Sequence, residues 1–270
     1  MLFVVATPIG NLEDITYRAV RILREANVIA CEDTRQTRKL LDHYGITTPA
    51  VSYHEHNEEH RTAELLRRLT AGETVALVSD AGTPLISDPG FHLVREARAA
   101  GIAVVPLPGA SASISALSAS GLPTDSFRFG GFLPQKKSQR VEALRELAGD
   151  PSTLIFYEAP HRILDTLEDV EAAMPGRPVV VAREVTKLHE EFLTGTAAEI
   201  RAALAGRDAV RGEITLLIGK GEDRVEVDER PIAEAVAELE RAGVPRMDAI
   251  KQVARDRGLG KRDVYRELSR

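Results

Sequence analysis

Along the first 220 residues, short apolar runs alternate with segments in which apolar positions recur every three or four residues. The runs 2–6, 27–31, 74–79 and 102–107, followed by 127–132, 152–157, 177–183 and 213–218, are rich in Val, Ile and Leu and predict strands. Between them, 15–26, 34–43, 59–71, 91–100, 138–148, 160–173 and 196–205 carry the helical period. Apolar strands alternating with helices predict an α/β protein with mostly parallel sheets covered on both faces. Asp14 stands before the first helix, Thr196-Ala-Ala-Glu199 reads as a capping box, and Ser152 after Pro151 opens a strand. Phe127, Phe129 and Phe132 are read as core positions of their strand.

The stretch GLPTD at 121–125 divides the pattern. Residues 1–121 form a five-strand α/β unit, four of whose strands are assigned above, and 122–220 form a second α/β unit. Residues 221–270 hold a charged linker and a helical tail with Gly243 and Gly258 as helix stops. Its last two helices, joined by Arg257-Gly258-Leu259-Gly260, look like a helix-turn-helix.

Composition narrows the class. With 43% hydrophobic and 28% charged residues the chain is an ordinary globular one. No apolar stretch reaches the roughly 18 to 20 residues of a membrane span, so no membrane association is expected. MLFVVATPIG breaks at Pro8 and lacks a basic leader, so it reads as a first strand. The lone Cys31 fits a reducing cytoplasm and is read as core. The net charge is -6, but residues 246–270 hold eight basic and four acidic groups, so the tail carries +4 and the rest -10. Lys136, Lys137 and Arg140 make a second basic cluster. Local positive charge on an acidic body suits an anionic partner at one face.

No G-x-G-x-x-G follows a strand, and neither G-x4-G-K-[ST] nor G-x-S-x-G occurs. The usual dinucleotide fold, the P-loop and the nucleophile elbow are thereby disfavoured. Four strand exits are nevertheless built as if for a ligand: ATPIGNLED, CEDTR, SDAGTP and LPGASAS. Parallel sheets bind ligands beyond the carboxyl ends of their strands. There Gly and Ala let backbone N–H groups approach, a helix start at Ser111 suits a carboxylate, and Asp80 can accept from a ribose diol or an amine. His54, His56 and His60 tempt a metal reading, but the first two need a strand and the last two a helix, so a site edge without metal is favoured. With few aromatics, no extensive base-stacking platform is expected.

TPIGNLEDITYRA, CEDTR, SDAGTPLISDPG, PGASA, FYEAPHR and AREVTKLHEEFLTG together resemble the tetrapyrrole methylase family. Within it they are similar to the branch that methylates a cytidine 2'-oxygen in the 16S RNA of the small ribosomal subunit. The resemblance implies S-adenosylmethionine as cofactor, two α/β domains with the cofactor between them, and a homodimer. It places the cofactor against Pro8, Asp80, Ala81, Gly82, Ser111, Ala112, Tyr157 and Glu158. Ser-Asp-Ala-Gly at 79–82, where many small-molecule relatives carry Gly-Asp-Pro, favours the RNA branch.

A ribose hydroxyl is a weak acid, so its proton needs an acceptor during attack. Glu32, Asp33, Glu184 and a Lys187 of depressed pKa are the candidates. Arg35, Lys39, Lys136, Lys137, Arg162 and Arg183 are candidates for contact with RNA, Arg38 beside them. Two alternatives stay open: methylation of a small tetrapyrrole or corrin precursor, and a nucleic-acid-binding regulator with a nucleotide-type ligand.

Overall fold

Val28, Ile29, Ala30 and Cys31 are all fully buried, which requires cover on both faces of the strand they form. The computed structural model describes residues 1–221, 231–256 and 259–268. In it β1 (Leu2–Val5), β2 (Val28–Cys31), β3 (Ala50–Ser52), β4 (Val75–Leu77) and β5 (Val104–Leu107) make a sheet of order β3-β2-β4-β1-β5, parallel throughout. Its alternate residues face opposite ways. Ile29 and Cys31 pack with Leu23 of α1 (Tyr17–Glu25) and Leu41 of α2 (Thr34–His43). Val28 and Ala30 pack with Leu65 of α3 (Glu58–Thr70) and Leu93 of α4 (Phe91–Ala99). Each such Leu contributes roughly 1.5 to 3 kcal/mol by leaving water. Cys31 is core, as expected, and burial pushes its thiol up.

After α5 (Ala112–Ala119) a second sheet follows: β6 (Phe127–Phe132), β7 (Thr153–Glu158), β8 (Val179–Arg183), β9 (Glu191–Gly195) and β10 (Ile214–Ile218), in the order β6-β7-β10-β8-β9. Here the expectation of mostly parallel strands fails. Only β6 and β7 run parallel; the other three pairings are antiparallel. The joint between β8 and β9 spans only 184–190, too short for the crossover that parallel neighbours need. Helices α6 (Lys137–Glu146), α7 (Ile163–Ala173) and α8 (Ala197–Ala205) cover one face. Ala116 and Leu117 of α5 pack on the other, against Ile155, Val180 and Leu217. Residues 1–220 are accordingly one compact unit.

Two local expectations are corrected. The first helix is capped by Thr16, whose hydroxyl accepts from Ala19 N–H at 3.1 Å, while Asp14 ends a 3-10 turn and accepts from the Thr186 hydroxyl. Phe127 and Phe132 are exposed and not core, because β6 is an edge strand whose register shifts at Gly130-Gly131. The capping box of Thr196 and Glu199 is present as read.

Residues 221–270 are a separate unit. In it α9 (Ile232–Arg241), α10 (Arg246–Asp256) and α11 (Lys261–Leu268) share a core of Ile232, Val236, Ile250, Val253 and Val264. Gly243 follows α9 at φ 89°. The proposed stop at Gly258, the start of the helix-turn-helix joint and most of the linker lie outside the described residues.

Candidate active site

The strand exits of the first sheet are sewn together by their backbones. Thr7 and Gly82 exchange N–H to O bonds of 2.9 and 3.0 Å, and the Thr7 hydroxyl donates to Ser79 O at 3.1 Å. Asp33 N–H donates to Asp80 Oδ1 at 3.0 Å, and the Thr83 hydroxyl to Ala110 O at 3.2 Å. Gly109 lies so close to Ala6 that a Cβ there would come within 2.6 Å of the alanine methyl. The exits of β1, β2, β4 and β5 therefore meet at one place.

The loop after β4 is held in an unfavourable backbone shape. Leu85 and Ser87 sit at φ 72° and 67°, a left-handed region that costs a side-chain-bearing residue roughly 1 to 2 kcal/mol. Strain of this kind persists where surroundings over-determine it, most often at functional sites. Here the far end is pinned too: Gly90 N–H donates to Glu58 Oε1 at 3.3 Å, and that carboxylate also accepts the buried Tyr53 hydroxyl at 2.9 Å.

The opposite wall comes from the second sheet: Tyr157 to Pro160 at the end of β7, Gly212 to Thr215 at the start of β10, and Val185. Between the walls lies a cavity of about 390 Å³, within the usual range for small-molecule sites of roughly 300 to 1,000 Å³. Its lining holds four carboxyls (Asp80, Asp88, Glu158 and Glu213) and no Lys, Arg or His. Two of these have cationic partners outside the lining. Glu158, with no exposed side-chain surface, lies 3.2 Å from Arg162, and Glu213 lies 3.0 Å from Lys187. Ile9, Ile86, Phe132, Tyr157 and Val185 supply apolar surface. The start of α5 has no side-chain cap at Ser111, so its first N–H groups are left for a ligand.

Most residues singled out in the sequence come together here. Asp80, Ala81, Gly82, Ser111, Ala112, Tyr157 and Glu158 all line the cavity. Pro8 does not; its neighbour Ile9 does. Glu32 stands behind Asp88 at the exit of β2. The other three candidate proton acceptors are engaged elsewhere. Asp33 caps α2 and is held down to about 2 by the Arg35 side chain, which donates to it at 2.7 Å. Glu184, at φ 53°, lies 2.9 Å from Lys187, a contact that holds its carboxyl low. Lys187 does not have the depressed pKa its role required: hydrogen bonds to Glu184 and Glu213 outweigh burial and push it up.

The cations differ in freedom. Arg162 is built into the fold, donating to Leu133 O and Pro134 O as well as facing Glu158. Arg183 is tied to Glu191 at 3.0 Å. Lys137 pairs with Glu168 and Asp169, and Lys39 donates to Gln36. Arg35 is 87% exposed despite its bond to Asp33, Lys136 is exposed at the start of α6, and Arg38 is 3.9 Å from Asp42. The three histidines take neither alternative geometry, since β3 ends at Ser52 and α3 begins at Glu58. His54 Nε2 instead lies 3.2 Å from Asn57 Nδ2.

Sequence reasoning missed Asp88, Glu213, Ile9 and Phe132 as lining residues. Asp88 and Ile9 left a signal, as members of SDAGTPLISDPG and ATPIGNLED. Phe132 and Glu213 reach the cavity from the second sheet, at the end of β6 and just before β10, which no local pattern encodes.

Residues 1–201 match the family model of the Tetrapyrrole (Corrin/Porphyrin) Methylases. The chain belongs to the tetrapyrrole methylase family. Within that family it is 52% identical, over 98% of its length and 93% of the relative's, to ribosomal RNA small subunit methyltransferase I of Halalkalibacterium halodurans. The protein of the same name from Pasteurella multocida is 49% identical over 98% and 95%, and that of Escherichia coli O157:H7 is 46% identical over 98% and 93%. Among solved tetrapyrrole methylase folds, diphthine synthase superposes with a TM-score of 0.60 at 16% identity, covering 81% of this chain and 89% of that one. Uroporphyrin-III-C-methyltransferase of Thermus thermophilus gives 0.54 at 21%, covering 82% and 92%. These two likenesses concern the fold.

Proposed function

We propose that this chain transfers the methyl group of S-adenosylmethionine to the 2'-oxygen of a cytidine ribose in the 16S RNA of the small ribosomal subunit. It works in the cytoplasm as a homodimer. The observation that carries this conclusion is a carboxyl-lined cavity without a cationic side chain, in a chain related over nearly its whole length to ribosomal RNA methyltransferases.

The residues present fit the cofactor. S-adenosylmethionine bears a sulfonium and an ammonium, and Asp80 and Asp88 are cavity carboxyls with no cationic partner among the described residues. Its carboxylate suits the uncapped start of α5 at Ser111 and Ala112. Its adenine suits the apolar wall of Ile9, Phe132 and Tyr157. Ala81 and Gly82 let the backbone approach closely. Residues 1–121 thus carry most of the cofactor loops, and 122–220 close the far side.

When bound, the cofactor supplies a methyl group on positively charged sulfur, open to in-line attack by an oxygen. The chain then has three tasks. Strained and cross-linked loops fix the donor's position, a contribution of the kind that brings reacting atoms within about 3 to 3.5 Å. Exposed Arg35, Lys39, Lys136 and Lys137 hold the RNA by its phosphates. A carboxyl at the cavity takes the hydroxyl proton. Arg162 and Arg183 serve this arrangement by bracing the walls. No described helix is long and apolar enough to cross a membrane, in keeping with a ribosomal substrate.

The test is competition between substrate classes. Purified chain with labelled donor should label under-methylated small subunits and leave a tetrapyrrole macrocycle unlabelled; the reverse preference would overturn the assignment.

A further inference from the structure

Of the four carboxyls in the cavity wall, Asp88 has surroundings unlike the rest. Glu158 and Glu213 face Arg162 and Lys187. Asp80 is fixed as an acceptor by the Asp33 N–H. Asp88 lies near two further carboxyls, Glu32 and Asp80, and has no ion-pair partner among the described residues. Asp88 is in the cavity lining and Glu32 is not; His54, Glu55 and Asp33 are near Glu32. The backbone on either side is fixed, by Ser87 at φ 67° and by the Gly90 N–H on Glu58.

Resting on the methyl-transfer assignment above, we propose that Asp88, backed by Glu32, is the group that takes the proton from the attacking ribose hydroxyl. In the step the O–H bond breaks and its proton passes to the Asp88 carboxylate. The freed pair on oxygen forms the new O–C bond, and the C–S pair returns to sulfur, leaving a neutral thioether. One positive and one negative charge vanish together, so the net charge of the cavity is unchanged by the step.

The surroundings suit that task. Burial first, then Glu32 and Asp80, push Asp88 up to about 7, and burial and Asp80 push Glu32 up as well. A proton acceptor works best when poised near the working pH. A cation entering the cavity favours the ionised carboxyl, so arrival of the donor itself prepares the acceptor. Asp33, Glu184 and Lys187 are each locked in ion pairs and have no such freedom.

Asp88→Asn, assayed by single-turnover methylation of under-methylated small subunits at saturating donor, is expected to slow transfer at least ~100-fold. Donor affinity by calorimetry should fall as well, since Asp88 faces the donor's positive charge, but at saturating donor that loss does not enter the transfer rate. The wild-type rate should climb with pH to a plateau, and the residual rate of the variant should lose that climb. Glu32→Gln should bring the plateau in at lower pH, because a neighbouring negative charge is gone. A transfer rate within about threefold of wild type for Asp88→Asn, or a loss confined to donor affinity, would overturn the proposal. If Asp88→Asn does not fold, an unmoved pH midpoint in Glu32→Gln would overturn it instead. Wild type that binds donor yet methylates no RNA would bring down the functional assignment and this proposal with it.

Discussion

Thr7 and Gly82 exchange both of their backbone hydrogen bonds across 75 residues of chain, N–H to O at 2.9 and 3.0 Å. This isolated two-residue bridge joins the exits of two neighbouring parallel strands, β1 and β4. Gly82 holds it at φ 80°, with the position of a Cβ only 3.3 Å from Ile9 Cγ2. The cavity floor is thus backbone fixed against backbone, and a glycine makes the approach possible.

Gly82→Ala should therefore cost roughly 1 to 2 kcal/mol of stability from its left-handed backbone alone. Donor affinity should fall as well, because the new methyl crowds Ile9 in the cavity wall. Thermal unfolding and calorimetry would check both; unchanged affinity would mean that the bridge does not shape the site.

Asp80→Ala removes an acceptor from the cavity and leaves the Asp33 N–H without its partner. The expected loss is about 1 to 3 kcal/mol of donor binding, a roughly 5- to 150-fold rise in Kd. Calorimetric titration of wild type and variant with the donor measures it directly.

Asp88 sets a pH dependence of opposite sign to that of an ion-paired acid. Its folded-state pKa, about 7, lies above the ordinary 3.8, so its contribution to stability is full below 3.8 and is lost as pH rises through about 7. Without donor, the melting temperature should fall between about pH 4 and about pH 7, and saturating donor should shrink that fall. Asp88→Asn should shrink it too, leaving a variant more stable than wild type at the upper end. Scanning fluorimetry across the window is the check.

The helical unit at 221–270 has its own core and leaves residues 1–220 with theirs intact. Its removal should lower affinity for small-subunit RNA and reduce the salt dependence of binding, while donor affinity stays the same. RNA binding with an unaltered salt slope would assign the unit another task.

What was legible in the sequence was what short-range patterning encodes. Strands of uninterrupted apolar residues, such as VIAC at 28–31, were found because burial on both faces leaves no polar positions. Ala50–Ser52 escaped because three residues after a proline carry no period, and Glu191–Gly195 because a half-buried edge strand mixes Glu and Thr with Phe and Leu. The antiparallel course of the second sheet hung on one short joint. At the site, clustered Gly, Asp and Pro betrayed the first sheet's loops. The far wall was announced only by Tyr157 and Glu158, since Gly212 to Thr215 arrive through β10 pairing with β7. The engagement of Arg162 by Leu133 and Pro134 is likewise a matter of three-dimensional neighbours.

The most direct test is to find where the methyl group goes. Small subunits lacking their native modifications would be incubated with the chain and labelled S-adenosylmethionine, the RNA digested and the labelled nucleosides resolved by mass spectrometry. The expected product is a single cytidine carrying the label on its ribose 2'-oxygen. Label on a nucleobase, or no transfer to RNA while donor is bound, would contradict the account.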